Sequence, residues 1–179
     1  MCGRYSQTAP LDVVMKRFEI AAGGDESLSP RYNLAPTQDA PVVVIVQEQG
    51  RRLKMMRWGL VPSWAKDCSI GNKLINARGE TILEKTSFKR AFQRRRCLVV
   101  ADGFYEWKRA GGRKQPMRIV MRDRQPFGMA GLWEAWRSPE GESVESFTII
   151  TTEANEMIRG IHNRMPVILK RGDEGMWLD

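Results

Sequence analysis

A chain of 179 residues with 42% hydrophobic content can bury one core, so a single domain or a compact pair is expected. No apolar run approaches the ~20 residues of a membrane span, the start lacks a signal peptide's apolar segment, and Cys2, Cys68 and Cys97 form no CxxC and have no histidine nearby. These features argue against a membrane protein, a disulfide framework or a zinc site, and favour a reducing, cytoplasmic compartment. A net charge of +8, much of it arginine, points instead to a polyanion, with nucleic acid first, because the guanidinium forks onto phosphate and stacks on bases.

In chain order, Met1-Cys2-Gly3-Arg4 comes first. Loss of Met1 would leave an amino-terminal cysteine, whose amine and thiol sit on adjacent carbons. An aldehyde could condense with the amine to an imine, and the thiol could then close a five-membered thiazolidine. Gly3 leaves room for a ligand, and Arg4 suits a phosphate. The alternative is an ordinary terminus that frays into solvent.

Thr8 and Pro10 then open a helix with Leu11, Val14, Met15 and Phe18 on one face, ending before Gly23-Gly24. Residues 30–41 read as an ordered loop forming a wall, and 41–47 and 51–58 as a strand hairpin. Trp58 and Trp64, set among Gly59, Pro62 and Ser63, suit core or rim packing or, for Trp64 especially, base stacking. Residues 80–96 look helical, divided near Thr86-Ser87 and ending in Arg94-Arg95-Arg96. Strands are expected at 97–101, 104–108, 117–122, 127–133 and 146–151, with antiparallel neighbours the simplest pairing. A short helix at 154–161, a last strand at 165–169 and a helix opening at 173–178 complete the chain. The expected fold is one α+β domain built on antiparallel sheets in a barrel-like arrangement, with a few short peripheral helices.

His162 is the sole histidine, the side-chain type that moves protons near neutral pH, though a lone histidine is more often structural. Strand alternation puts Glu106 on one face with Phe104 and Lys108. Burial of that face would make it a proton donor; exposure would pair it with Lys108. Asn76 reads as a turn or helix-cap residue whose amide could also hold an aldehyde or phosphate oxygen beside Arg78.

Six stretches together resemble the SOS-response-associated peptidase family, also called abasic-site processing proteins. They are Met1-Cys2-Gly3-Arg4, Tyr32-Asn33-Leu34-Ala35-Pro36, Trp58-Gly59-Leu60-Val61-Pro62-Ser63-Trp64, Ile75-Asn76-Ala77-Arg78-Gly79-Glu80-Thr81, Ala101-Asp102-Gly103-Phe104-Tyr105-Glu106-Trp107-Lys108 and Ile161-His162-Asn163-Arg164-Met165-Pro166. The resemblance implies covalent capture of abasic sites in single-stranded DNA through Cys2 after self-removal of Met1, by a protein without metal or cofactor and expected to be monomeric. It implies Cys2 as nucleophile, Asn76 orienting amine and sugar, Glu106 handling protons at the terminus, and His162 as acid or base on the opened sugar. Arg4, Arg78 and Arg164 would grip phosphates, while Pro36, Trp64 and Thr151 would touch flanking nucleotides. It also implies that residues 1–179 form the family's domain without its last segment. Gly79 and Asn163 depart from the residues commoner in the family. An amino-terminal cysteine peptidase acting on other polypeptides, and a non-catalytic single-strand-binding module, are the rival readings.

Overall fold

The computed structural model describes residues 2–21 and 27–179. Its strands are β1 Tyr5–Gln7, β2 Arg31–Leu34, β3 Asp39–Val46, β4 Gly50–Trp58, β5 Asn76–Arg78, β6 Arg96–Ala101, β7 Gly103–Ala110, β8 Arg113–Ile119, β9 Phe127–Arg137, β10 Ser143–Glu153 and β11 Arg164–Pro166. The helices are α1 Leu11–Phe18, α2 Thr86–Arg94, α3 Glu156–Arg159 and α4 Glu174–Leu178.

Strand β4 pairs with β3, β3 with β6, β6 with β9 and β9 with β10, and β10 returns to β4, so five strands close on themselves. Closure leaves no free edge along that circuit. The run Val42-Val43-Val44 lacks polar alternation because both of its faces are covered. Val42 and Val44 point into the barrel with Met56, Val99, Met129 and Phe147, while Val43 lies outside beneath Val14 and Phe18 of α1 and Leu178 of α4. On another flank Phe88 and Ala91 of α2 pack over Leu132 and Ile150. Ion pairing fixes α4 as well: fully buried Glu174 accepts two hydrogen bonds from Arg17, at 3.1 and 2.7 Å.

A second, antiparallel sheet runs β2-β1-β7-β8, placing the first strand of the chain in an interior position. Buried Tyr5 meets Trp58 edge to face with centroids 5.1 Å apart, and Trp58 stacks on Phe147 inside the barrel. The carboxylate of Asp102 accepts from the hydroxyls of Ser6 and Thr8 (both 2.6 Å), from the Thr8 backbone N–H and from Arg118. Burial pushes that carboxyl up, but the bonds from Ser6, Thr8 and Arg118 together outweigh it and hold it below the usual range. The terminus is therefore pinned, and the frayed alternative fails.

Several expectations need correction. The 30–41 segment contains β2, although residues 35–38 do form an ordered turn hydrogen-bonded to Trp58. Asn76 lies in a strand rather than at a helix cap. The barrel sheet is mixed, since β4 and β5 both run parallel to β10, whereas the second sheet is antiparallel throughout. Helix appears only at 86–94 of the 80–96 segment, after a single 3-10 turn at Gly79–Thr81. Strand β8 begins and ends earlier than expected, and β9 and β10 are each eleven residues long. The expected stop at Gly23-Gly24 lies outside the described residues; α1 ends at Phe18, where Glu19 takes a left-handed φ of 55°.

Candidate functional site

Cys2 precedes β1 and is fully buried. Its carbonyl accepts a 2.9 Å hydrogen bond from the Asn76 side-chain amide. That amide is aimed by its neighbours: the indole N–H of Trp58 donates to the Ile75 carbonyl at 2.9 Å, and Asn76 pairs with Ile149 of β10. A close approach of two glycines allows this path. Gly59 has φ 127°, and a β-carbon there would lie 2.5 Å from the Gly71 carbonyl oxygen.

Glu106 is 2% exposed, in line with Phe104 on the inner face of β7, so the solvent-facing pairing with Lys108 does not occur. Burial first, and the nearby Glu106 carboxylate second, push the Cys2 thiol up from 9.0 to about 12. The Cys2 sulfur is thus a neutral thiol at physiological pH.

Two open clefts carry arginines near this region. One, of about 550 Å³, is lined by Gly3, Arg4, Tyr32, Asn33, Tyr105, Trp107 and Pro116. There Arg4 donates to Asn33 at 3.0 Å and the Tyr105 hydroxyl donates to the Tyr32 carbonyl at 2.9 Å. The other, of about 680 Å³, is lined by Arg78, Glu153, Arg159, His162, Asn163 and Arg164. Asn76 and Arg78 project from the same face of β5, so this strand links the second cleft to Cys2.

His162 lies in the connection between α3 and β11. The Arg164 backbone N–H lies 3.0 Å from its Nδ1, and the Arg164 carbonyl oxygen lies 3.3 Å from the same nitrogen. Arg164 makes a bidentate pair with Glu80 at 2.7 and 2.9 Å and donates to the Thr151 carbonyl at 2.8 Å. Hydrogen bonding to Arg164 holds the Glu80 carboxyl down at about 2. Thr151 is fully buried and reaches only Arg164 and the Ala77 carbonyl, so it presents no surface to a nucleotide. It supports Arg164 instead.

Trp64 is 57% exposed in a turn docked through Ala65, whose carbonyl accepts from the Trp136 indole at 2.8 Å. Trp58, the other stacking candidate, belongs to the core. Pro36 is half-buried in the turn held against Trp58. Sequence reasoning passed over Glu80 and Asp102 although both stand inside the quoted motifs. Their roles depend on partners 84 and 96 positions away, to Arg164 and Ser6 respectively.

A closed barrel that buries the second residue of its chain, with one arginine-bearing cleft at Arg4 and another at Arg78 and Arg164, defines the class of protein. The model of the family described as SOS response associated peptidase (SRAP) matches residues 1–179, and the chain belongs to that family. It is 45% identical to the abasic site processing protein YoqW of Bacillus subtilis, over all of this chain and 80% of that protein. It is 34% identical to the abasic site processing protein HMCES of Xenopus tropicalis, over all of this chain and 66% of that one. A crystal structure of a Bacteroides thetaiotaomicron protein superposes with a TM-score of 0.91 at 30% identity, covering 99% of this chain and 81% of the other.

Proposed function

We propose that this protein captures abasic sites in single-stranded DNA covalently, through Cys2 after hydrolysis of the Met1–Cys2 bond, and so shields the lesion. The observation that carries the reading is the 2.9 Å hydrogen bond from the Asn76 amide to the Cys2 carbonyl, which ties the second residue of the chain to the strand that bears Arg78. The names of the curated relatives supply the substrate class.

In the proposed reaction the freed α-amine adds to the aldehyde of the opened sugar and one water leaves, giving an imine. The Cys2 sulfur then bonds to the imine carbon while the thiol proton passes to the nitrogen, giving a thiazolidine. The thiol supplies the proton that the nitrogen takes up, so the closure balances. Asn76 orients the terminus, Glu106 relays protons beside the sulfur, and His162 acts as acid or base on the sugar. Arg4 and Arg78 hold phosphates, as does Arg164 once phosphate displaces Glu80, with Trp64 and Pro36 against flanking nucleotides.

Intact mass spectrometry after mixing with an abasic oligonucleotide tests the reading. The expected product has the mass of the chain without Met1 plus the oligonucleotide, less one water. Equal binding of intact and abasic strands with no covalent product would reduce the protein to a binding module.

A further inference from the structure

We propose that the outer face of the β7–β8 hairpin is a second DNA-contacting surface that grips the sugar-phosphate backbone beyond the Arg4 cleft. This rests on the reading that the protein binds a lesion-bearing strand. The hairpin turns through Gly111 and Gly112, with φ of 56° and 77°, the backbone of a tight two-residue turn whose twist suits paired strands. Register pairs Tyr105 with Arg118, Trp107 with Pro116 and Arg109 with Lys114. Residues two apart on a strand share a face, so these six side chains lie on one side of the ribbon. Tyr105, Trp107 and Pro116 already line the cleft that begins at Gly3 and Arg4. Arg109 and Lys114 therefore continue that cleft outward, about 7 Å beyond Trp107 at ~3.4 Å per strand residue. This reach offers two further cations to the backbone of a strand that enters the Arg4 cleft.

The charge on this face has no internal answer. Residues 107–122 contain no Asp or Glu, and of their cations Arg118 is taken up by Asp102. Among the described residues Arg109 and Lys114, both exposed, make no ion pair. They also stand directly opposite each other, where like charges repel across a ladder. A bound polyanion relieves that repulsion. Trp107, 37% exposed at the junction, offers a ring on which one base can stack as the strand passes.

The test compares Arg109→Gln/Lys114→Gln with Lys108→Gln/Arg113→Gln, which removes the same charge from the opposite face. Binding of intact single strands of about 5 and about 15 nucleotides is measured across a salt series. On the long strand the first variant is expected to reduce the magnitude of the salt slope by about 1.4, at about 0.7 per lost contact. That corresponds to about 25-fold weaker binding at 0.1 M salt, one decade below 1 M. The opposite-face variant is expected to lose less than about three-fold, and the first variant's deficit should shrink on the short strand. Its melting temperature should equal or exceed that of the wild type, since the repulsion is gone. Unchanged affinity and slope on the long strand, or equal losses from both faces, would overturn the proposal. Failure of the capture reading shows separately, as no adduct between the wild-type protein and an abasic strand, while intact-strand binding still reports on the hairpin.

Discussion

Burial decides what the Cys2 sulfur can do. Its thiol is pushed up to about 12, and on the reading proposed above the residue acts as an aminothiol. Protein freed of Met1 is expected to give an adduct with abasic single strands that survives denaturation without borohydride. Cys2→Ala, which keeps a free amine if Met1 still leaves, should give an adduct only when borohydride traps the imine. A borohydride-independent adduct from Cys2→Ala would return the linkage to another residue. The same shift has a stability consequence. The unfolded thiol ionises near 9.0 and the folded one near 12, so between those values the native state holds more protons than the unfolded state. Stability must then fall as pH rises through this window, by about 1.4 kcal/mol per unit for one group, and the contribution is complete below 9.0. Cys97, pushed up by burial alone, adds a parallel term. Denaturant unfolding across the alkaline range should show a shallower decline in Cys2→Ser, and an identical slope would contradict the buried thiol.

Short elements carry the site, and short elements are the hardest to see in sequence. Strand β5 has three residues and supplies both Asn76 and Arg78, yet three residues cannot display an alternation, and its partner β10 lies more than seventy positions away. Strands β1 and β2 escaped notice for the same reason, whereas α1 announced itself through Pro10 and the spacing of Val14 and Phe18. At Glu106 alternation correctly gave the face but not its burial, because Lys108 on that same face stands beyond the edge of the core. The path to β5 passes the Gly59–Gly71 contact, where a β-carbon must displace backbone. Gly59→Ala combines that overlap with a left-handed φ and is expected to cost about 2–5 kcal/mol, read from the denaturation midpoint. Any folded fraction should capture abasic strands more slowly, since Asn76 moves with this segment. Wild-type stability in Gly59→Ala would show that the approach is easily relaxed.

For the molecule as a whole, two helices far apart in sequence, α1 and α4, together cover one flank of the closed barrel. Arg17 of α1 and Glu174 of α4 meet where Val14, Phe18 and Leu178 cover Val43, Leu98 and Val100. Glu174→Ala leaves Arg17, only 13% exposed, without its carboxylate and is expected to destabilise the fold by about 3–5 kcal/mol. Thermal unfolding measures this, and a shift below about 1 kcal/mol would mean that solvent replaces the partner. That long-range contact was legible only as a general α+β domain, because pairing of distant segments leaves no local pattern.

If DNA is joined to Cys2 as proposed, the strand that follows it makes the protein a mechanical link. Tension drawn along β1 loads the hydrogen bonds to β2 and β7 in shear on both edges, together with the Asp102 bonds at Ser6 and Thr8. Rungs loaded side by side share a force that a dangling end would meet one rung at a time. The interior place of β1 thus makes the attachment point an anchor: a passing motor that tugs the strand along this axis must shear a sheet before the chain can peel away.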